Sequence, residues 1–232
     1  MNLTNSIQRD GYCPVPRAIA SDAVRDLITA IECAAAARQQ PAGIYAIRNL
    51  FSVVPAIAKL ARSPAVRTLV EPVLGPACFP VRALLFDKLP EANWHVPWHQ
   101  DCSIAVRRRI EIEGFSSWTV KAGVPHVQPP TSVLEQMVTV RIHLDTCGIE
   151  NGPLRVLRGT HRHGRLSAEQ IETELLSVHQ EVLTAQPGDA LLMRPLLVHA
   201  SSSATSPLHR RVVHLEFASC QLPGGIEWHL DG

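Results

Sequence analysis

The chain has 232 residues, and its 22 lysines and arginines nearly balance its 21 aspartates and glutamates, which leaves a net charge of +1. This balance excludes a general electrostatic attraction to nucleic acid or to an anionic membrane, so we expect neither as a partner. The length is sufficient for a self-sustaining hydrophobic core. Because no internal repeat or low-complexity linker divides the sequence, we expect a single domain over residues 1–232.

The cysteines and the N-terminus bear on the cellular compartment. Six cysteines are scattered without CxxC spacing, which favours reduced thiols, with disulfide pairs as the alternative. Residues 1–20 lack the basic and apolar regions of a signal peptide, and no apolar run approaches the roughly 18 residues that a membrane helix requires. We therefore expect a cytoplasmic protein without a membrane-spanning segment.

Two amphipathic helices are predicted in an N-terminal helical region, about 1–75. The segment "SDAVRDLITAIECAAAARQQ" begins at Ser21 as a candidate N-cap, spaces its apolar residues for one helical face and ends before Pro41. The segment "SPAVRTLVEPVLG" begins at Ser63 as its cap, has a proline in the first turn and is followed by Gly75. Both helices are expected to pack against a sheet.

From Cys78 onward the pattern changes to short runs of β-type residues separated by turn residues. The runs are "CFPVRALLF", "QMVTVRIHLD", "LRVLRG", "EVLTAQPGDALLMRP", "LLVHAS" and "RRVVHLEFAS". About eight strands predict a sandwich or barrel over about 76–220, with the helices against one sheet. The segment 106–132 has no clear period and contains Gly, Pro and Ser, so we expect a long insertion or lid there, named the lid segment below.

The stretch "WHQDCS" contains the most informative candidate ligands. On a strand, residues i and i+2 project from the same face, so His99 and Asp101 can reach one metal ion while Gln100 points away. His199, in "LLVHASSS" at the end of another strand, would add a second imidazole. Two histidines and one carboxylate on one side of an octahedral metal form the facial triad of non-haem Fe(II) oxygenases.

Other histidines in the chain provide weaker candidates. His161 and His163 in "GTHRHG" have the same i, i+2 spacing, but they lie in a glycine-flanked loop without a nearby acid. His95 lies four residues before His99, and Pro97 between them argues against a helix that would align the two. We expect His95 to line the site at most.

Several segments in order along the chain resemble the phytanoyl-CoA dioxygenase family of Fe(II)- and 2-oxoglutarate-dependent oxygenases. These segments are "RDGYCPVPRAIASDAVRDL", "WHQD", "ENGPLRVLRGTH", "PGDALLMRPLLVHASSS" and "HRRVVHLEF". The resemblance implies a mainly β fold with flanking helices, a double-stranded β-helix that is a cupin-like jelly roll. It also implies Fe(II) and O2, with 2-oxoglutarate as cosubstrate.

The resemblance assigns roles to individual residues. His99, Asp101 and His199 correspond to the iron ligands and therefore to the catalytic centre. Arg210, 11 residues after His199, corresponds to the residue that binds the distal carboxylate of 2-oxoglutarate, because a guanidinium offers a carboxylate two charge-assisted hydrogen bonds. The remaining residues implied to line the cosubstrate pocket are Ser201, Leu84 and Arg141.

Two arginines have competing assignments. Strand alternation places Arg210 and Arg211 on opposite faces, so only one of them can point inward, and the distance from His199 favours Arg210. Arg141 replaces an aromatic residue of the best-known family members. It is expected either to bind a carboxylate of cosubstrate or substrate, or to pair with Asp145 or Glu216 as a structural residue.

The resemblance also indicates the reaction and the kind of substrate. Because halogenating relatives lack the carboxylate ligand, Asp101 favours hydroxylation of an aliphatic carbon in a small metabolite, such as an amino acid, an acyl derivative or a natural-product intermediate, with release of succinate and CO2. Within the lid segment, the candidates for substrate contact are Trp118, Lys121 and His126. The run Arg107–Arg109 is either a phosphate-binding cluster or, as is usual for such runs, a solvated face.

Two other functions remain open at this point. One is a cupin-type metalloprotein that uses another metal without 2-oxoglutarate, and the spacing of Arg210 argues against it. The other is a non-catalytic sensor that binds 2-oxoglutarate, and the complete ligand set argues against that. A homodimer formed through the N-terminal helices is also possible.

Overall fold

The computed structural model describes residues 2–37, 46–206 and 209–230. Its helices are α1 (Leu3–Asp10), α2 (Ser21–Ala37), α3 (Leu50–Val53), α4 (Pro55–Ala61), α5 (Pro64–Leu74), α6 (Thr131–Leu134) and α7 (Ala168–Ser177), with 3-10 turns at Ile149–Asn151 and Thr160–His163. None of the helices in these ranges is long and apolar enough to cross a membrane.

The two predicted helices are α2 and α5. The predicted ends agree with the structure for α5, whereas the start of α2 differs. At the start of α5, the Ser63 side chain accepts a hydrogen bond from the Val66 N–H, and Gly75 caps the other end, which confirms both predicted ends. In α2, Ser21 is the first residue of the helix, whereas the prediction made it the N-cap, the residue that precedes the first helical one. The predicted end of this helix at Pro41 lies outside the described residues.

The strands form three antiparallel sheets. In chain order they are β1 (Tyr12–Val15), β2 (Ala46–Ile47), β3 (Phe79–Lys88), β4 (Val96–His99), β5 (Ile104–Ala105), β6 (Ser116–Lys121), β7 (Val124–Gln128), β8 (Met137–His143), β9 (Leu154–Leu157), β10 (Gln180–Leu183), β11 (Ala190–Met193), β12 (His199–Ser201) and β13 (Arg210–Ala218). The six-stranded sheet has the order β1-β11-β8-β13-β3-β2, and the four-stranded sheet has the order β10-β9-β12-β4. Every predicted β-run overlaps at least one of these strands.

The six-stranded sheet packs its outer face against the N-terminal helices. Along β13, Val213, Leu215 and Phe217 belong to the main core cluster, together with apolar residues of α2, α4 and α5. Alternate residues of the same strand point to the inner face. A smaller cluster, which includes Val156 of β9 and Met193 of β11, joins the two sheets into a sandwich. The mainly β architecture with flanking helices is therefore confirmed.

The lid segment has a regular structure that its sequence does not indicate. Strands β6 and β7 form a hairpin, and β5 pairs with β7 to complete a three-stranded sheet. The turn of the hairpin places Ala122 and Gly123 at φ 50° and 79°, a left-handed pair that is usually marked by Asn-Gly or Asp-Gly. Val106 bridges to Trp228, so the hairpin packs against the C-terminal segment. Its role as a lid remains a prediction.

The cysteines are free thiols in the structure. Cys13, Cys78 and Cys147 are buried, and burial raises the pKa of each of these thiols above the ordinary value. Protonated buried thiols behave as small apolar side chains. The expectation of reduced cysteines agrees with this arrangement.

Candidate active site

Three candidate metal ligands lie together, two on the four-stranded sheet and one just after its strand β4. The ligand atoms of His99, Asp101 and His199 all lie within 4.8 Å of one another. Nε2 of each histidine is 3.7 Å from a different oxygen of Asp101, and the two imidazole centroids are 4.2 Å apart. Two nitrogens and one oxygen at these separations surround a point that a divalent cation can occupy, and they approach it from one side.

Strand pairing explains why residues 100 positions apart meet. His99 of β4 is the cross-strand partner of His199 of β12, so the two imidazoles project from the same face of the sheet. Asp101 follows β4 and does not lie within it. Gln100 points away, and its amide nitrogen donates to two backbone carbonyls of neighbouring loops. His99 and Asp101 therefore face one point, as their spacing predicts.

Hydrogen bonds leave the three ligand atoms free to bind a cation. Nδ1 of His99 is 2.8 Å from the Pro97 oxygen, and Nδ1 of His199 is 2.9 Å from the Leu197 oxygen. Because a carbonyl only accepts, each Nδ1 carries the proton and each Nε2 presents a lone pair. Asp101 Oδ2 is buried and has no hydrogen-bond donor among the residues that the structure describes.

The charge states of these groups also suit a metal site. Burial lowers the pKa of His199 to about 4, so this imidazole is neutral at pH 7. Burial by itself would raise the pKa of Asp101, but the neighbouring His199 and His99 outweigh that effect and lower it below the usual range. A neutral imidazole and an ionised carboxylate are the forms that bind metal ions.

A cavity of about 170 Å³ lies beside these ligands and between the two large sheets. Its polar lining consists of His99, Asp101, His199, Ser201, Arg141, Arg210 and His214, and its apolar lining consists of Phe86, Trp94, Val96, Leu154 and Ala200. The four-stranded sheet contributes the two histidines, with Asp101 directly after β4, whereas the six-stranded sheet contributes both guanidinium groups. The two walls of the cavity therefore differ in chemistry.

The two arginines that begin β13 point to opposite faces. Arg210 is 4% exposed and lines the cavity, where its NH1 donates to the Gly152 oxygen and its Nε has no partner among the described residues. Arg211 lies on the outer face and forms ion pairs with Asp145 and Glu32, each at 2.8 Å. Of the two, Arg210 is therefore placed to bind an anion in the cavity.

Lys88 is a buried cation that the sequence analysis missed. Its side chain is fully buried, and its ammonium donates to the Ser202 oxygen and lies 3.3 Å from Ser201 Oγ. Burial and the charge of Arg210 lower the pKa of Lys88 to about 8. The alternation of Phe86 and Lys88 on β3 was the available signal, since residues two apart on a strand share a face.

Arg141 is joined to a polar network across the inner face of the six-stranded sheet. Its NH1 lies 3.1 Å from Nδ1 of His214, whose Nε2 lies 3.4 Å from Glu216, and Arg82 NH1 lies 3.2 Å from the same carboxylate. Because a guanidinium only donates, Nδ1 of His214 accepts and its Nε2–H faces Glu216. Burial and the charge of Arg210 lower the pKa of Arg141 to about 10.

The proposed structural pairing of Arg141 is wrong for the residues that the structure describes. Asp145 pairs with Arg211 on the outer face, and Glu216 pairs with Arg82 and His214. Neither carboxylate forms an ion pair with Arg141, because Asp145 lies beyond the end of β8 and binds Arg211, and His214 separates Arg141 from Glu216. The other predicted role for Arg141, binding of a carboxylate, remains open.

The remaining predicted site residues lie near the cavity without lining it. Leu84 is buried on β3 as the cross-strand partner of His214, and Phe86 rather than Leu84 lines the cavity. Lys121 contacts Ser103 Oγ at 3.5 Å, and burial lowers its pKa. The structure does not bring these residues into contact with the metal ligands.

The other two lid residues are held within the hairpin. His126 is 2% exposed, and burial lowers its pKa to about 4. Its Nδ1 is hydrogen-bonded to the Val124 oxygen, and its Nε2 is buried without a hydrogen-bond partner among the described residues. Trp118 packs with the apolar cluster around the hairpin and stacks under Arg109 at 5.5 Å. This placement gives Trp118 a packing role.

Other candidates from the sequence lie away from the cavity. Nε2 of His161 is hydrogen-bonded to the Gln8 backbone oxygen, and Nδ1 of His163 contacts the Glu174 carboxylate. His95 is exposed and does not line the cavity. The run 107–109 is exposed, and its first and last arginines pair with Glu227 and Glu111, as in a solvated surface.

A jelly-roll sandwich with two histidines and one carboxylate beside a basic cavity defines a non-haem metal oxygenase fold with room for an anionic cosubstrate. A model of the phytanoyl-CoA dioxygenase (PhyH) family matches residues 7–212. The chain therefore belongs to this family. It is a 2-oxoglutarate-dependent non-haem iron dioxygenase whose cofactors are Fe(II) and 2-oxoglutarate.

Individual relatives agree with this membership. The chain is 25% identical over 243 residues to an L-proline trans-4-hydroxylase of Streptomyces griseoviridis, which covers 90% of this chain and 82% of the relative. The structure of EctD from S. alaskensis with 2-oxoglutarate and 5-hydroxyectoine has a TM-score of 0.73 at 19% identity and covers 93% of this chain and 74% of EctD. The structure of the epimerase SnoN in complex with Fe3+, alpha ketoglutarate and nogalamycin RO has a TM-score of 0.69 at 15% identity. The match covers 96% of this chain and 90% of SnoN. These two structures share the fold.

Proposed function

We propose that this dioxygenase hydroxylates an aliphatic carbon of a small metabolite, with release of succinate and CO2. In this proposal His99, Asp101 and His199 hold the iron, and Arg210 with Ser201 holds the distal carboxylate of 2-oxoglutarate. The observation that carries the proposal is the approach of the three ligand atoms to within 4.8 Å beside a cavity that also contains Arg210.

The chemistry of the donor set fits a divalent iron. Both Nε2 atoms present lone pairs toward Asp101, and the buried Oδ2 of Asp101 has no donor among the described residues. A buried ionised oxygen without a partner is costly, and a cation at this point would remove that cost. The ligands leave the cavity side of the ion open for the cosubstrate.

The surroundings of Arg210 support its assignment to the cosubstrate's second carboxylate. Arg210 is buried, its Nε is without a partner among the described residues, and a carboxylate can accept two hydrogen bonds from its planar fork. Ser201 lies two residues after His199 and offers a hydroxyl in the same cavity. Lys88 contacts this hydroxyl and orients it.

The size of the cavity supports a small substrate. Its volume of about 170 Å³ corresponds to roughly six water molecules. Such a space suits the cosubstrate and part of a small molecule more closely than a coenzyme A ester. The similarity to an L-proline hydroxylase also supports a small substrate and hydroxylation as the outcome.

In the reaction, the protein residues bind, orient and exclude water. When bound, iron and 2-oxoglutarate supply the oxidising chemistry, while the protein fixes their geometry. Arg210 anchors the cosubstrate at the end remote from the metal, which limits the orientations of its 2-oxo acid end. Phe86, Trp94 and Leu154 provide apolar walls that limit access of bulk water.

One spectroscopic experiment tests the proposal and separates it from the two alternatives. We expect the anaerobic protein with Fe(II) to gain a visible charge-transfer band when 2-oxoglutarate is added, and to form succinate when oxygen is admitted. A cupin-type protein that needs no 2-oxoglutarate would give no band, and a sensor would give the band without succinate. Undiminished succinate formation by the His199→Ala protein would show that the metal ligands are wrongly assigned.

A further inference from the structure

Two buried guanidinium groups share the cavity, although the proposed function uses only one. Arg141 is 7% exposed and Arg210 is 4% exposed, and the Nε of each has no partner among the described residues. Asp101 is the one acidic residue within the described part of the chain that lines the cavity. The protein therefore supplies more buried positive charge here than negative charge.

Binding of iron and cosubstrate leaves this imbalance at Arg141. In the proposed complex, Asp101 and the 2-oxo acid carboxylate offset the divalent iron, and the distal carboxylate offsets Arg210. The Lys88 ammonium donates to the Ser202 oxygen and lies 3.3 Å from Ser201 Oγ, so its positive charge adds to that of Arg210 where the distal carboxylate is proposed to bind. Arg141 remains as a buried cation without a counter-charge, which is an unfavourable arrangement unless a further anion binds.

The neighbours of Arg141 orient it and do not neutralise it. One of its five N–H groups donates to Nδ1 of His214, and its guanidinium lies 5.9 Å from the Phe86 ring centre. Glu216, on the far side of His214, is engaged by Arg82 at 3.2 Å. Among the described residues no carboxylate pairs with Arg141, although its side chain lines the cavity.

Arg141 and Arg210 reach the cavity from different strands. The Cα of Arg141 on β8 pairs with that of His214, which lies four residues along β13 from Arg210. Both guanidinium groups line the same cavity as Asp101 and the two histidines. A second anion in this cavity can therefore be bound by Arg141 while Arg210 holds the first.

We propose that Arg141 binds a carboxylate of the substrate, so that the substrate class is a small carboxylic acid. This inference rests on the proposed function, because it assigns Arg210 to the cosubstrate and leaves Arg141 for the substrate. The guanidinium fixes the acid end of the substrate beside His214 and directs its carbon chain toward the metal. Arg141 is a binding residue that determines specificity.

The test compares wild-type protein with Arg141→Gln, Arg141→Lys and the outer-face control Arg211→Gln. The first measurement is the dissociation constant of 2-oxoglutarate for the Co(II)-loaded proteins by calorimetry. We expect Arg141→Gln to remain close to wild type, because the cosubstrate is held by Arg210 and the metal. Thermal unfolding of each variant checks that it is folded.

The second measurement adds acid and amide pairs to the Co(II) protein with 2-oxoglutarate bound and follows the cobalt absorption spectrum. The probes are L-proline with L-prolinamide, and pentanoate with pentanamide. A charge-assisted hydrogen bond predicts about ten- to hundredfold tighter binding of at least one acid than of its amide. This preference should disappear in Arg141→Gln, be partly retained in Arg141→Lys and be unchanged in Arg211→Gln.

The outcomes separate this inference from the proposed function. If the wild-type protein does not bind 2-oxoglutarate, the proposed function fails first. If wild-type protein binds 2-oxoglutarate and Arg141→Gln weakens 2-oxoglutarate binding as strongly as it weakens the binding of either probe acid, Arg141 belongs to the cosubstrate. The inference is then overturned. The inference is also overturned if wild-type protein binds 2-oxoglutarate but binds the acids and amides equally, or binds neither.

Discussion

The opposite orientations of Arg210 and Arg211 allow a direct test of the cosubstrate site. We consider Arg210→Met and Arg211→Met, which remove the same charge from adjacent residues of β13 and keep an unbranched side chain. Arg210 lines the cavity, whereas Arg211 pairs with Asp145 and Glu32 on the other face of the sheet. The two variants should therefore differ in which property they lose.

The expected magnitude follows from the burial of Arg210. Truncating one partner of a buried, hydrogen-bonded charge pair costs about 2 to 5 kcal/mol. At about 1.4 kcal/mol per factor of ten, Arg210→Met should raise the dissociation constant of 2-oxoglutarate roughly thirtyfold to several thousandfold. Arg211→Met should change it by less than about threefold, since its contacts are elsewhere.

The effects of the two variants on stability should rank in the reverse order, with the larger loss in Arg211→Met. Arg211 donates two hydrogen bonds of 2.8 and 2.9 Å to the Asp145 carboxylate, so its loss should lower the free energy of unfolding by roughly 1 to 3 kcal/mol. Arg210 has no ion pair among the described residues, and removing a buried cation without an anion should cost little or increase stability.

Calorimetric titration of 2-oxoglutarate into anaerobic Mn(II)-loaded protein, together with urea unfolding, measures both quantities. The reasoning predicts that one variant loses affinity and the other loses stability. If Arg211→Met weakens 2-oxoglutarate binding more than Arg210→Met does, the assignment of the inward face of β13 is refuted. Equal effects on affinity would place the distal carboxylate at some other group.

Three further predictions concern the metal site and its surroundings. Burial opposes protonation of His99, but the nearby Asp101 carboxylate outweighs this effect and raises the pKa of His99 above 6.5. Calorimetry should therefore show Zn(II) affinity falling about tenfold per pH unit below that pKa and levelling above it. Gln100→Leu should lower the urea-derived free energy of unfolding by about 1 to 3 kcal/mol, because two loop carbonyls lose their donor, and an unchanged midpoint would contradict this role. Lys121→Ala and His126→Ala should impair substrate-coupled hydroxylation while leaving the slow substrate-free formation of succinate nearly intact; equal loss of both would show that the lid segment is a fixed structural insertion.

Local patterns in the sequence were sufficient for part of the fold and site. The cap at Ser63 and the alternation of Arg210 and Arg211 depend on residues within one helix or one strand, and both agree with the structure. The hairpin in the lid segment was missed because its turn has Ala122 where an asparagine or aspartate is usual.

Other features depend on contacts between distant strands. The sequence does not reveal that His199 pairs directly with His99, because that register is set by the packing of β12 against β4. The partner of Arg141 was also unpredictable, since His214 intervenes between it and Glu216 only when β8 and β13 are aligned. Such long-range registers lie beyond what residue spacing can establish.

The register of β13 links the stability of the fold to the chemistry of the cavity. Its outward residues Val213, Leu215 and Phe217 are fully buried against the helices, whereas Arg210 and His214 face the cavity. Because side chains alternate along a strand, a slip of one residue would expose the apolar set to the cavity and would direct both cavity groups outward. The large energetic cost of moving three buried apolar side chains prevents that slip. The apolar half of the strand therefore holds the two cavity groups opposite the metal ligands, although it contacts neither cosubstrate nor metal.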